Sequence, residues 1–175
     1  AFEGKHWEAD NTLPQFEEGL LKVFDNDVKK AVQRYFELIR EMLVKSTPTI
    51  LGHMDRIKVH NMHREFFDEQ AGWYLTEVSD TLELAKQKGV IVEVNTRGLQ
   101  RKRSRESFPG SFALKRIAEL NIPVHLASDA HHADDLIALF PDVAGQMIHA
   151  GITNVVQLRD AKWEAVALPT LTFGV

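Results

Sequence analysis

Apolar positions recur at three- and four-residue intervals over the first part of the chain and then give way to short continuous runs. Phe16, Leu20, Leu21 and Phe24 share one stripe of a helix opening at Pro14, whose fixed φ suits a first turn. Asp25-Asn26-Asp27 offers caps for a longer helix in which Val28, Val32, Tyr35, Phe36, Ile39, Leu43 and Val44 keep the same period. Pro48 ends it, and Thr49-Ile50-Leu51 predicts a short strand running into Gly52-His53-Met54-Asp55. Residues 56–70 are polar and basic and predict a long loop or a broken helix. Trp73, Val78, Leu82, Leu84 and Ala85 predict a helix to Lys88, stopped by Gly89. Val90 to Asn95 is a β-branched strand, 96–110 a basic loop, Ser111–Leu120 a helix and 122–127 a strand. Helices near 133–139 and 141–150 and a strand at 155–158 follow, and the tail from Lys162 is apolar and weakly patterned.

Strands separated by helices pair in parallel, which predicts an α/β sheet or barrel. Chemistry in such folds sits where strands end and loops begin. The three most polar junctions, GHMD, EVNTRG and SDAHH, all fall at predicted strand C-termini.

Composition narrows the partners more than the fold. The 175 residues suffice for one domain with a real core, and 44% apolar with 26% charged residues is an ordinary globular profile. A net charge of −4 gives no bulk attraction to nucleic acid or anionic membrane. No apolar stretch nears the ~20 residues that span a bilayer, so no membrane partner is expected. The chain has no cysteine, which removes disulfides and thiolate metal sites and agrees with a reducing, cytoplasmic location. P-loop, nucleophile-elbow and H-E-x-x-H patterns are all missing from the sequence.

His53 and Asp55, two apart on an extended segment, would face one cavity, with Asp55 orienting the imidazole. His is a good ligand for zinc, iron or manganese; a hydrogen-bonded histidine at a polar strand end is the plainer alternative. Asp129 and His131 repeat the pairing in reverse order. Helix capping by Ser128 or Asp129 accounts for an acid and a serine there, but a protonated His131 is disfavoured at a positive helix terminus. His132 is expected to face solvent. Glu93 and Asn95 share a face of an otherwise apolar strand, where the acid needs a partner or lines a pocket. Arg97, Arg101, Lys102, Arg103 and Arg105 form a charge run, solvated for the most part. Arg97, nearest the strand, is the best oxyanion ligand among them, with Lys58 a second candidate. Nucleic acid is not the expected partner, because the run lacks interleaved aromatics. His125 reads as core or as a support behind the site, His60 and His63 as loop residues, His149 as a helix-end cation, and His6, near Trp7 and Asp10, is ambiguous.

Taken together, ILGHMDRIK (50–58), IVEVNTRG (91–98) and IPVHLASDAHHADDL (122–136) resemble the polymerase-and-histidinol-phosphatase (PHP) superfamily, specifically its histidinol-phosphate phosphatase branch. The resemblance implies the C-terminal portion of a distorted (β/α)7 barrel, parallel strands alternating with helices, in a single domain over 1–175. It also implies two or three divalent ions (Zn, Fe or Mn) at the strand ends and a small-molecule phosphate ester as substrate. L-Histidinol phosphate, a step of histidine biosynthesis, is the ester it names. By the same resemblance His53, Asp129 and His131 ligate metal and Asp129 serves the attacking water. Arg97, Lys58 and Asn95 meet the substrate, and Asp55 and Glu93 stand behind the ligands. The family's early His-x-His pair, bridging glutamate and Ser-Val-His motif are missing from this sequence. The expectation is therefore that an N-terminal segment of the same protein completes the site and that these residues alone are inactive. A PHP-type nuclease or nucleotide phosphatase, and a non-catalytic metal-stabilised binding domain, are the alternatives.

Overall fold

The computed structural model describes residues 7–9, 11–62 and 64–168, so His6, Asp10, His63 and the tail beyond 168 lie outside the described residues. Helix α1 (Leu13–Phe24) starts where the Thr12 backbone N–H donates to Gln15 Oε1 at 3.2 Å, and it buries Phe16, Leu20, Val23 and Phe24. Asp25, at φ +52°, ends it in the left-handed region that an aspartate tolerates. Asp27 then caps α2 (Val28–Lys45), its carboxylate accepting from the Lys30 N–H at 2.9 Å. Of the predicted stripe Val32, Phe36 and Leu43 are buried, joined by Ala31, while Val28, Tyr35 and Ile39 are half-buried and Val44 is exposed. Helix α3 (Gly72–Gln87) buries Tyr74, Val78, Leu82 and Ala85, and Gly89 at φ +67° turns the chain out of it. Arg40 of α2 donates to Glu77 of α3 at 2.8 Å and to Thr81 Oγ1 at 3.1 Å, fastening the two helices.

Strands β1 (Ile50–Leu51), β2 (Ile91–Asn95) and β3 (Val124–Ala127) form a parallel sheet in that order, with Leu51 opposite Val92 and Asn95 opposite Ala127. Helices α3 and α5 (Ser111–Leu120) carry the chain between them, as parallel pairing requires. Val92 and Val94 are wholly buried, and Glu93 is the one residue of β2 that reaches partial exposure.

Four stretches depart from the sequence pattern, each for a local reason. Residues Arg56–Met62, within the stretch expected to be a long loop or a broken helix, form a 3₁₀ helix, and it buries Ile57, Lys58, Val59 and His60 although the stretch is polar and basic. His60 packs its ring 4.6 Å from that of Phe16, so it belongs to the core. The basic stretch after β2 holds a single helical turn, α4 (Arg97–Gln100), and then folds back so that Phe108 exchanges backbone hydrogen bonds with Asn95 at 2.7 and 3.0 Å. The Phe108 ring lies where a side chain on Gly98 would stand, since a Cβ there would meet its Cε2 at 2.4 Å. Residues 133–139 make one 3₁₀ turn (Ala133–Asp135) instead of a helix. Pro141 has no N–H to offer Ile137, and the carbonyls of Leu136 and Ala138 are taken by Ser128 Oγ at 2.9 Å and Thr96 Oγ1 at 2.8 Å. Helix α6 (Phe140–His149) starts at that proline, which sits in its first turn where no N–H is needed.

The last strand does not continue the parallel alternation. β4 (Asn154–Arg159) pairs antiparallel with β5 (Lys162–Ala167) across a two-residue turn, Asp160-Ala161, with both residues at positive φ. His125 ties this hairpin to the sheet, its Nδ1 3.0 Å from the Val156 carbonyl and its ring edge-on to Trp163. Among the described residues the sheets are therefore one parallel three-stranded and one antiparallel two-stranded. No described helix is long and apolar enough to cross a membrane.

Candidate active site

A line of polar contacts crosses the C-terminal ends of all three parallel strands. It starts after β1, where the His53 backbone N–H donates to Glu93 Oε2 at 2.8 Å. His53 takes φ +25°, a strained value for a histidine, and this bond helps to fix it. Glu93 thereby receives the partner that an acid inside an apolar strand requires. Asn95 Nδ2 donates to the same oxygen at 3.2 Å, and Asn95 Oδ1 accepts from the Arg97 backbone N–H at 2.9 Å. Gly52 lets the carboxylate come close, since a Cβ there would stand 3.3 Å from Glu93 Oε2.

From β2 the line passes to the loop after β3. Arg97 Nη1 donates to the Asp129 carbonyl at 2.7 Å, and its Nε lies 3.7 Å from Asp129 Oδ2. At that distance the two are an ion pair and not a hydrogen bond. His131 Nδ1 sits 2.9 Å from the Asp129 carbonyl and 3.9 Å from Asp129 Oδ1. With Nδ1 so placed, and the side chain 59% exposed, the other ring nitrogen remains for a ligand or water. Asp129 takes φ +51°, a left-handed bend in the loop after β3. His132 is exposed.

Six of the candidate residues, His53, Glu93, Asn95, Arg97, Asp129 and His131, thus belong to one network. Lys58 and Asp55 do not. The positive φ of His53 breaks the extended geometry under which His53 and Asp55 would face the same way. Asp55 turns instead to Lys58, Oδ2 to Nζ at 2.8 Å, and accepts from the Gly110 N–H at 2.9 Å. Lys58 is buried, with Glu106 at 3.6 Å and Glu69 at 3.8 Å around the same ammonium. Burial alone would lower the Lys58 pKa, but Asp55, then Glu69 and Glu106, outweigh it and hold the amine above its ordinary value. Glu106 is likewise pulled both ways: burial raises it, while the Ser111 hydrogen bond and the Lys58 charge leave its pKa below the ordinary value. This cluster clamps the segment 104–110 onto the 3₁₀ helix.

The donor chemistry suits zinc, iron or manganese, but the donor count does not. Asp129 and His131 are near one another, whereas no three His, Cys, Asp or Glu residues among the described ones are gathered to hold a metal ion. Protein metal centres of this kind use three or four such ligands.

Two hollows flank the network. One, of about 270 Å³, lies between α1, α2 and the end of β1, with Trp7, Phe24, Tyr35, His53 and Arg56 in its wall. The other, of about 50 Å³, is lined by Arg56, Arg97, Arg101 and Arg103 against Phe108. Arg56 was not singled out from the sequence. Its position directly after the GHMD junction was the available signal, but the neighbours that make it part of a basic cluster lie forty residues on, as the numbering of Arg97 shows.

Neither a family model nor a curated protein matches the chain. Among solved structures, the crystal structure of a candidate histidinol phosphatase from Listeria monocytogenes superposes on 81% of this chain with a TM-score of 0.71 at 19% sequence identity. The chain spans 53% of the length of that protein. At this identity the likeness shows a shared α/β fold.

Proposed function

We propose that this chain forms one wall of a phosphoester-hydrolysing site in a longer protein, and that its substrate is a small-molecule phosphate monoester. The observation that carries this reading is the unbroken line of contacts from His53 through Glu93, Asn95 and Arg97 to Asp129 and His131. It brings an arginine fork, a carboxylate and an exposed imidazole to one end of a parallel sheet, where α/β folds do their chemistry. The shared fold and the span of about half the neighbour agree with three parallel strands of a distorted (β/α)7 barrel, the rest coming from the remainder of the protein.

In this scheme Arg97 holds a phosphoryl oxygen and balances the charge of Asp129. The Asp129 carboxylate accepts a proton from the attacking water as its oxygen bonds to phosphorus. The ester P–O bond breaks, and the alcohol leaves with the electron pair and takes a proton from solvent. Glu93 holds the backbone N–H of His53 and the buried Asn95 that of Arg97. A divalent ion, when bound, polarises phosphoryl oxygens and acidifies water, and His53, Asp129 and His131 are the donors this chain would contribute to holding it.

The test is a substrate panel for the longer protein: L-histidinol phosphate first, then a nucleoside monophosphate and a phosphodiester. Hydrolysis of monoesters with the diester left intact is expected. Cleavage of the diester alone would replace this reading with a nuclease.

A further inference from the structure

Arg97, the group that the phosphoester reading sets against a phosphoryl oxygen, begins a helix too short to hold itself. Helix α4 is four residues long, and a first turn fixes several dihedrals for very few hydrogen bonds, so its geometry needs support from outside. Much of that support comes from Phe108, and it reaches both flanks of Arg97. On the β2 side, Phe108 and Asn95 exchange backbone hydrogen bonds at 2.7 and 3.0 Å, and Asn95 Oδ1 accepts from the Arg97 N–H at 2.9 Å. On the α4 side, the wholly buried Phe108 ring fills the space beside Gly98. The Gly98 carbonyl is itself taken by the Arg103 and Ser104 N–H groups at 2.8 and 3.1 Å. From this frame the Arg97 side chain reaches the Asp129 carbonyl at 2.7 Å.

Phe108 is in turn held by Lys58. The ammonium lies over the ring, 5.7 Å from its centroid and within reach of a cation–π contact. The same ammonium grips the chain two residues to either side of the ring. Asp55, at 2.8 Å from Nζ, accepts from the Gly110 N–H at 2.9 Å. Glu106, at 3.6 Å from Nζ, accepts from the Ser111 N–H at 3.3 Å and so closes the turn around Phe108. A lysine side chain only 3% exposed has little surface to offer a ligand, but its three donors can fix several groups at once.

We infer that Lys58 is a positioning residue for Arg97: its ammonium fixes the Phe108 ring and the acids that bind the chain around it, and Phe108 fixes the backbone before and after Arg97. What Arg97 grips rests on the phosphoester reading, whereas the linkage from Lys58 to Arg97 stands on these contacts alone.

The experiment uses two variants. Lys58→Met with Asp55→Asn strands no buried charge, and Phe108→Leu keeps an apolar side chain while removing the ring. In the longer protein each should raise KM for p-nitrophenyl phosphate about fivefold, and neither should raise it further once Arg97→Ala is present. A residue that only stabilised the fold would lower the folded fraction, and with it kcat, and leave KM alone. An unchanged KM, or an equal rise with and without Arg97, would overturn the linkage. Amide hydrogen exchange in the 175-residue chain tests it without turnover. In both variants the Asn95 and Arg97 amides should speed up about tenfold more than those of Val92 and Ile122, which donate to Pro123 and Ile117 outside the linkage. Uniform acceleration of all four would overturn it as well. A longer protein inactive on monoesters would sink the phosphoester reading and leave the linkage to the exchange result. Active hydrolysis beside uniform exchange would sink the linkage alone.

Discussion

Replacing Lys58 with methionine removes the single positive charge from the cluster that clamps segment 104–110. The size of the effect follows from which of its three ion pairs are dry. Glu69 and Glu106 are 32% and 38% exposed, so water already screens them and their pairs with Lys58 add little. Asp55 differs, because its side chain and that of Lys58 are each 3% exposed at 2.8 Å. Without Lys58, Asp55 keeps one donor, the Gly110 N–H, and its Oδ1 is already buried without a hydrogen bond. Removing one partner of a buried pair costs about 3–5 kcal/mol, because the other charge remains unmatched. That is a large share of the ~5–15 kcal/mol by which a domain is stable. At an m-value of about 2 kcal/mol/M the urea midpoint should fall by about 1.5–2.5 M. Adding Asp55→Asn removes the stranded charge and keeps the acceptor for Gly110, so the double variant should be more stable than Lys58→Met alone. A loss under about 1 kcal/mol, or a double variant no better than the single, would refute the claim that this pair is dry and coupled.

Other consequences are open to measurement. Since the folded pKa of Glu106 is depressed below 4.5, the folded state binds fewer protons than the unfolded one just under that value. Its contribution is therefore present above pH 4.5 and lost as pH falls through the lower folded pKa; urea midpoints over that window should slope less in Glu106→Gln. Gly98→Ala forces a methyl against the fully buried Phe108 ring, and thermal melts should show an overpacking loss of about 1–3 kcal/mol. Arg97→Ala in the longer protein should raise KM for a phosphate monoester by more than tenfold; a change confined to kcat would move Arg97 out of substrate binding.

Much of this fold was legible because burial imposes a period. The stripe Val32, Phe36, Leu43 and the runs around Val92 and Val124 are where the buried helix face and the central strands lie. The final hairpin was hidden because its turn, Asp160-Ala161, carries no glycine or asparagine to announce positive φ. The site was legible only in part. The polar junctions after three strands do lie together at one end of the sheet, and the line of contacts from His53 to His131 runs along it. The partnership of Asp55 with Lys58, and of Arg56 with Arg97, Arg101 and Arg103, depends on a backbone bend and on long-range packing that spacing does not encode.

The most direct measurement is the rate of phosphate monoester hydrolysis by the longer protein carrying Asp129→Asn, with circular dichroism to confirm folding. The account predicts an intact fold and a rate at least a hundredfold lower, on the order of what a positioned proton acceptor contributes. An intact fold with an undiminished rate would contradict it.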